Sequence, residues 1–158
     1  MFDRAAPYAA FAGRVLLSGI FLMAGLMKLL NWSETATSMA NEGMTYVPFF
    51  LTLAILFELG GGLSLLLGYK VPVGALALAV FLVPVTLIFH DFWAYQGAQL
   101  ANQMQHFTKN VTIIGGLLAQ AAAGAGAFSL DSVRAQAGAR RPGEAAPWGG
   151  AFGQRYGI

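Results

Sequence analysis

Glu58 is the residue whose position most needs a chemical reason. It sits near the middle of an apolar stretch that runs roughly from Val47 to Tyr69. A charge at the centre of a membrane helix costs roughly 2.5–3.5 kcal/mol on insertion. A carboxyl there must be protonated, paired with a cation or turned to a wet cavity. Its helical face carries Ala54, Gly61 and Gly62, which points it at another helix and away from lipid. Arg14 and Lys28 are the candidate partners. Two readings follow: a buried pair that only fixes helix register, or a carboxylate that handles protons or touches a ligand.

Arg14, Ser18, Phe21, Gly25 and Lys28 are spaced by 4, 3, 4 and 3 residues, so they share one face of a helix. Two cations on one stripe point into a bundle. The alternative for each is snorkelling to the nearer interface. A third group is the run His90-Asp91-Phe92-Trp93, with Lys109-Asn110 and Lys28 expected at the same membrane face. It combines a titratable imidazole, a carboxylate, two amines, an amide and an aromatic plate. Such a set could bind the carbonyls of a quinone-like ring and exchange protons with it. In that reading Glu58 and His90 handle protons, and Arg14, Lys28, Asp91, Trp93, Lys109 and Asn110 hold the substrate. The alternative is an interfacial belt, since Trp, His and Lys are common at headgroup depth.

The composition says what must carry these groups. Of 158 residues, 57% are hydrophobic and 10% charged, and mean hydropathy is +0.62. Soluble domains carry about 25% charged residues, so the main solvent of this chain is lipid. The pI near 9.2 rests on a net charge of +2 from scattered residues, which gives no nucleic-acid signature. Without cysteine there are no disulfides, iron–sulfur ligands or thiolate zinc sites. The two histidines, His90 and His106, lie in different segments, so no metal site is expected. No nucleotide loop, serine nucleophile elbow or zinc-protease motif is present, and Gly60–Gly62 sit inside an apolar helix.

Four helices are predicted, at about 8–30, 47–69, 71–91 and 109–130. Each is close to the ~20 residues that span ~30 Å of hydrocarbon, and in lipid a helix satisfies its own backbone. The first is too long for a signal peptide, and no small-residue cleavage site follows Lys28. Pro48 and Pro72 suit helix starts. Pro84 should kink the third helix. The link Gly68-Tyr69-Lys70 makes helices two and three antiparallel neighbours, and loops are expected at about 31–46 and 91–108. Small residues should form the seams: Gly60, Gly61, Gly62 and Ser64 on helix two, and Thr112, Gly116, Ala119, Ala123 and Gly126 along one face of helix four. The expected fold is an all-α integral membrane four-helix bundle, up-down-up-down. Arg4, Lys70, Arg134, Arg140 and Arg141 gather at one end, so both termini should be cytoplasmic. Residues 132–158 form a Gly-rich polar tail with Trp148, Phe152 and Tyr156. It is either disordered alone or a docking arm for a partner.

These residues together resemble the DoxX family of small bacterial four-helix membrane proteins. The resemblance covers about residues 11 to 131. It rests on Gly13-Arg14, Gly25-x-x-Lys28-Leu29, Glu58-Leu59-Gly60-Gly61, His90-Asp91-Phe92-Trp93, Phe107-x-Lys109-Asn110, Gly115-Gly116 and Ser129-Leu130-Asp131. It implies a bacterial plasma-membrane protein, related to the membrane subunit of thiosulfate:quinone oxidoreductase. The function expected first is a quinone-interacting subunit with no intrinsic cofactor. It would bind a diffusible quinone and draw electrons from a soluble redox partner. The alternative is a non-catalytic accessory subunit of a larger respiratory or photosynthetic complex, attached partly through the tail. A transporter has less to rest on, because four short helices with few polar residues leave little room for a path.

Overall fold

The computed structural model describes residues 2–139. The helices are α1 (Phe2–Leu30), α2 (Trp32–Asn41), α3 (Val47–Leu67), α4 (Val71–Phe89), α5 (Gly97–Ala123) and α6 (Leu130–Ala139), with a 3-10 turn at Phe92–Ala94. There is no strand among the described residues, so the all-α expectation holds. Among the described residues, three segments are long and apolar enough to cross a membrane: Ala5–Leu30, Val47–Leu67 and Val71–Ala94. Their outer faces carry large apolar side chains such as Leu16 (77% exposed), Met23 (65%) and Val80 (70%). A surface of that kind is stable against lipid and not against water. The protein is an all-α membrane protein.

Close approach of backbones sets the packing. On α1 and α3, a Cβ at Gly25 would lie 2.8 Å from Leu59 Cδ2, and one at Gly62 would lie 2.9 Å from Leu22. Between α3 and α4, Gly61 faces Leu78 and Gly74 faces Ser64. In both pairs residue numbers rise on one helix as they fall on its neighbour, so α1, α3 and α4 alternate in direction. Leu65, Leu78 and Leu117 are fully buried in a core that joins α3, α4 and α5, with Phe21 of α1 against it. In lipid this burial carries no hydrophobic transfer gain, so the cluster is held by close van der Waals packing of complementary side chains. A second cluster of Met39, Leu51 and Ile55 fixes α2 across the other end.

Several local expectations need correction. The region expected to be a loop at 31–46 contains α2. Trp32, Ala36 and Met39 recur at helical spacing and pack on α3, which is the signal that an amphipathic helix lies there. Helix four is α5, which starts at Gly97 and not near 109, and stops at Ala123 and not at 130. Gly124 and Gly126 have φ of 75° and 72° and leave the helical region, which glycine does without steric cost. The segment from Asn110 to Ala123 is about 20 Å long at 1.5 Å per residue, short of ~30 Å. The seam on helix four also turns out differently. Thr112, Ala119 and Ala123 are exposed, while Asn110 and Leu117 are buried. Small residues permit close packing on either face. The larger Leu117 takes the inward position, in one cluster with Ala75 and Ala79 of α4. On α3, Gly61 and Gly62 are buried as expected, and Gly60 is exposed. The start of the tail forms α6. Arg140, Arg141, Trp148, Phe152 and Tyr156 lie outside the described residues.

Candidate functional site

The stripe on α1 points inward as its spacing requires: Arg14, Ser18, Phe21 and Gly25 are buried and Lys28 is half-buried. Its two cations serve different ends of the molecule. They are 14 residues apart, about 21 Å along a helix.

Arg14 satisfies backbone. Its guanidinium donates to the carbonyls of Ala125 and Phe128 and lies 5.5 Å from the Phe11 ring centroid. The neighbouring carbonyls are also accounted for. Gln120 Nε2 donates to Gly124 O at 2.7 Å, Ser129 Oγ to Gly126 O at 2.6 Å, and Ser132 Oγ to Ala127 O at 2.6 Å. The segment after α5 has left the helix, so its carbonyls need other donors at this depth. Arg14 supplies two of them, and neither goes to Glu58.

Lys28 is the partner of Glu58. Its Nζ donates to Oε1 at 2.7 Å, and the side chains are 28% and 7% exposed respectively. Glu58 Oε2 is buried and has no hydrogen-bond partner among the described residues. The pair lines a cavity of about 510 Å³ among α2, α3 and α4, which Lys28 enters from α1. The walls are mainly apolar and include Phe57, Phe81 and Pro84. The rings of Phe57 and Phe81 stack at 5.5 Å with 6° between their planes. Thr35, Ser38 and His90 add the remaining polar atoms, and α2 forms one side of the site through Thr35, Ser38 and Met39.

His90 leads from the cavity to a second cluster. Its Nδ1 lies 2.9 Å from Gln103 Oε1. With the amide oxygen accepting, Nδ1 carries the hydrogen and Nε2 is the acceptor of the neutral ring. The ring stacks on His106 at 5.1 Å and 18°. Lys109 Nζ lies 3.3 Å from His106 Nδ1. Burial first, and then the charges of Lys109 and His90, hold the His106 pKa below its usual value.

Of the predicted site residues, the cavity therefore takes in Lys28, Glu58 and His90. Lys109 joins through His106. Asp91, Trp93 and Asn110 do not line the cavity. Trp93 is 59% exposed and packs on Phe92 and Phe107, and Asn110 is buried on α5. Gln103, His106, Thr35 and Ser38 are additions. His106 and Gln103 fall one helical turn apart, a signal present in the sequence but readable only once that segment is known to be helical.

The profile of the DoxX family matches residues 9–91, from α1 through the end of α4, and so includes Lys28, Glu58 and His90. The chain is 37% identical over 118 residues to the inner membrane protein YqjF of Escherichia coli (strain K12), covering 75% of this chain and 85% of that protein. It is 28% identical over 130 residues to the inner membrane protein YphA of the same organism, covering 82% and 93%. A more partial likeness, 27% over 129 residues, is to the ER-derived vesicles protein ERV29 of Saccharomyces cerevisiae, of which it covers 34%. No solved structure matches. With its profile match spanning more than half of the sequence and its Glu58–Lys28 pair inside that span, the chain belongs to the DoxX family.

Proposed function

We propose that the cavity among α2, α3 and α4 binds a flat, lipophilic, carbonyl-bearing ring of the quinone class, and that the protein is the quinone-interacting membrane subunit of an oxidoreductase system. The observation that carries this reading is Glu58. Its carboxyl is buried in an apolar cavity of about 510 Å³, holds Lys28 through one oxygen and leaves the other without a partner among the described residues. A largely apolar enclosure with a few convergent polar groups is the usual form of a small-molecule site. An unsatisfied buried oxygen costs about 1–3 kcal/mol, which the hydroxyl hydrogen of the reduced, quinol form would offset, while the carbonyl oxygens of the oxidised ring can only accept.

The residues fit such a ring. The stacked Phe57 and Phe81 give flat apolar wall, and the Lys28 ammonium has further hydrogens to offer an oxygen. A bound quinone would supply reversible electron- and proton-carrier chemistry. The chain itself binds the ring, flanks it with α2 and holds protons at Glu58 and His90. His106, stacked on His90, extends the titratable groups beyond the cavity. Electrons come from a redox partner protein. The relatives' names support an inner membrane location. The concentration of Arg and Lys around the α3–α4 turn and α6 supports a cytoplasmic placement of that end and both termini.

The test is equilibrium binding of a short-chain quinol, the form that has O–H donors for Glu58, to the protein in lipid nanodiscs. The wild type should bind saturably. Glu58→Gln and Lys28→Met should each weaken binding about tenfold or more, equivalent to at least ~1.4 kcal/mol. Absence of saturable binding to folded wild type, or unchanged affinity in both variants, rules the reading out.

A further inference from the structure

A second concavity lies on the lipid-facing side of α3 and α4. It has a volume of about 540 Å³ and is lined by Leu56, Gly60, Gly74 and Ala77, ending at Tyr69 and Lys70. Glu58 is not among its lining residues. A Cβ at Gly60 would meet nothing within 4 Å, so no neighbouring side chain fills the groove there. On α3 the lining runs from Leu53 to Ser64. That is about 17 Å at 1.5 Å per residue, close to half of the ~30 Å hydrocarbon thickness. The groove therefore has the depth of one lipid leaflet.

Its polar end is built by two distant parts of the chain. Asp131 at the start of α6 accepts the Lys70 backbone N–H at 2.8 Å, and its own N–H donates to Gly68 O at 3.1 Å. This clasp brings Arg134 to the turn. The Arg134 guanidinium lies 4.5 Å from the Tyr69 ring centroid, and Lys70 Nζ lies 5.5 Å from it. Neither cation forms an ion pair with a carboxylate among the described residues. Arg134 first, and Lys70 after it, hold the Tyr69 hydroxyl below the usual phenol range, as a locally positive site would. Both cations sit where the apolar segments Val47–Leu67 and Val71–Ala94 meet, which is headgroup depth.

We propose that this groove binds one anionic phospholipid, with an acyl chain along α3 and α4 and the headgroup phosphate between Lys70 and Arg134 beside Tyr69. A packed transmembrane helix would bring apolar surface but no charge to match the two cations. An anionic lipid brings both. A zwitterionic lipid offsets the phosphate with its own cation and fits less well.

Native mass spectrometry of the full chain, released from micelles doped with equal amounts of phosphatidylglycerol and phosphatidylcholine, tests this. The wild type should retain one phosphatidylglycerol in clear preference. The double variant Lys70→Gln/Arg134→Gln should lose the preference. Gly60→Leu fills the groove without touching the charges and should reduce retention of both lipids. Both sites are exposed, so unchanged helicity by circular dichroism is expected. Equal retention of the two lipids by the wild type overturns the proposal, as does full phosphatidylglycerol retention in either variant. Displacement of the lipid by inorganic phosphate alone would mark a free-anion site and would overturn it too.

Discussion

Replacing Lys28 with methionine removes the one hydrogen-bond partner, among the described residues, of a carboxyl that is otherwise buried in an apolar wall. Breaking a buried ion pair from one side costs about 3–5 kcal/mol, because the remaining charge loses its partner and has no water to replace it. Here Lys28 is 28% exposed, so some water reaches the pair. The expected cost of Lys28→Met is accordingly about 2–3 kcal/mol. Glu58→Gln is milder. The amide oxygen still accepts from Lys28, and the ammonium keeps its path to water, so about 1 kcal/mol is lost. The double variant Lys28→Met/Glu58→Gln leaves no uncompensated charge and should cost about 1 kcal/mol, less than Lys28→Met alone. The cycle then yields a coupling of about 2–3 kcal/mol between the two positions. Reversible unfolding in mixed micelles, followed by helical circular dichroism as the denaturing detergent fraction rises, measures all four proteins. If Lys28→Met lies within about 0.5 kcal/mol of wild type, or the double variant is simply additive, the pair is not the buried interaction described above.

Two further predictions concern packing and pH. Gly61→Ala would place a methyl 2.5 Å from Cγ of the fully buried Leu78 and should destabilise by about 1–3 kcal/mol. The adjacent Gly60→Ala points into open space and should gain about 0.5–1 kcal/mol from helix propensity. The same unfolding assay compares them, and equal effects would refute the face assignment of α3. For pH, His106 is held below its usual value in the folded protein, so the unfolded chain binds the proton more tightly. The stability that the neutral ring contributes is complete above the unfolded value of about 6.5. It is lost as pH falls through the lower folded value. Between neutral pH and about pH 5, the wild type should therefore lose more stability than His106→Gln. An identical acid loss in the two proteins would show that His106 does not titrate in this way.

The inward face of α1 was legible in the residue spacing, because a helical period of 3.6 places Arg14, Ser18, Phe21, Gly25 and Lys28 on one side whatever they meet. The need of Glu58 for a polar partner was legible for a similar reason. Burying a charge in lipid is costly in any fold. The α2 helix was hidden by its short length and mixed composition. Only the apolar surface of α3 makes its Trp32–Ala36–Met39 stripe worth burying. The buried face of α5 was misread because glycine and alanine permit close packing without requiring it, so the larger Leu117 and its neighbours on α4 decide the rotation.

By itself, then, the sequence determined the solvent, the helical class, the family and which α1 and α3 faces turn inward. These follow from hydropathy and from local periodicity, and each acts within a few helical turns. Only the tertiary structure decided that Lys28 and not Arg14 meets Glu58, that Arg14 serves carbonyls more than a hundred residues away, and that His90 lies over His106. Which cation reaches a carboxyl depends on the antiparallel register of two helices. That register is set by where Gly25 and Gly62 let the backbones close on Leu59 and Leu22, a contact between segments that no local pattern contains.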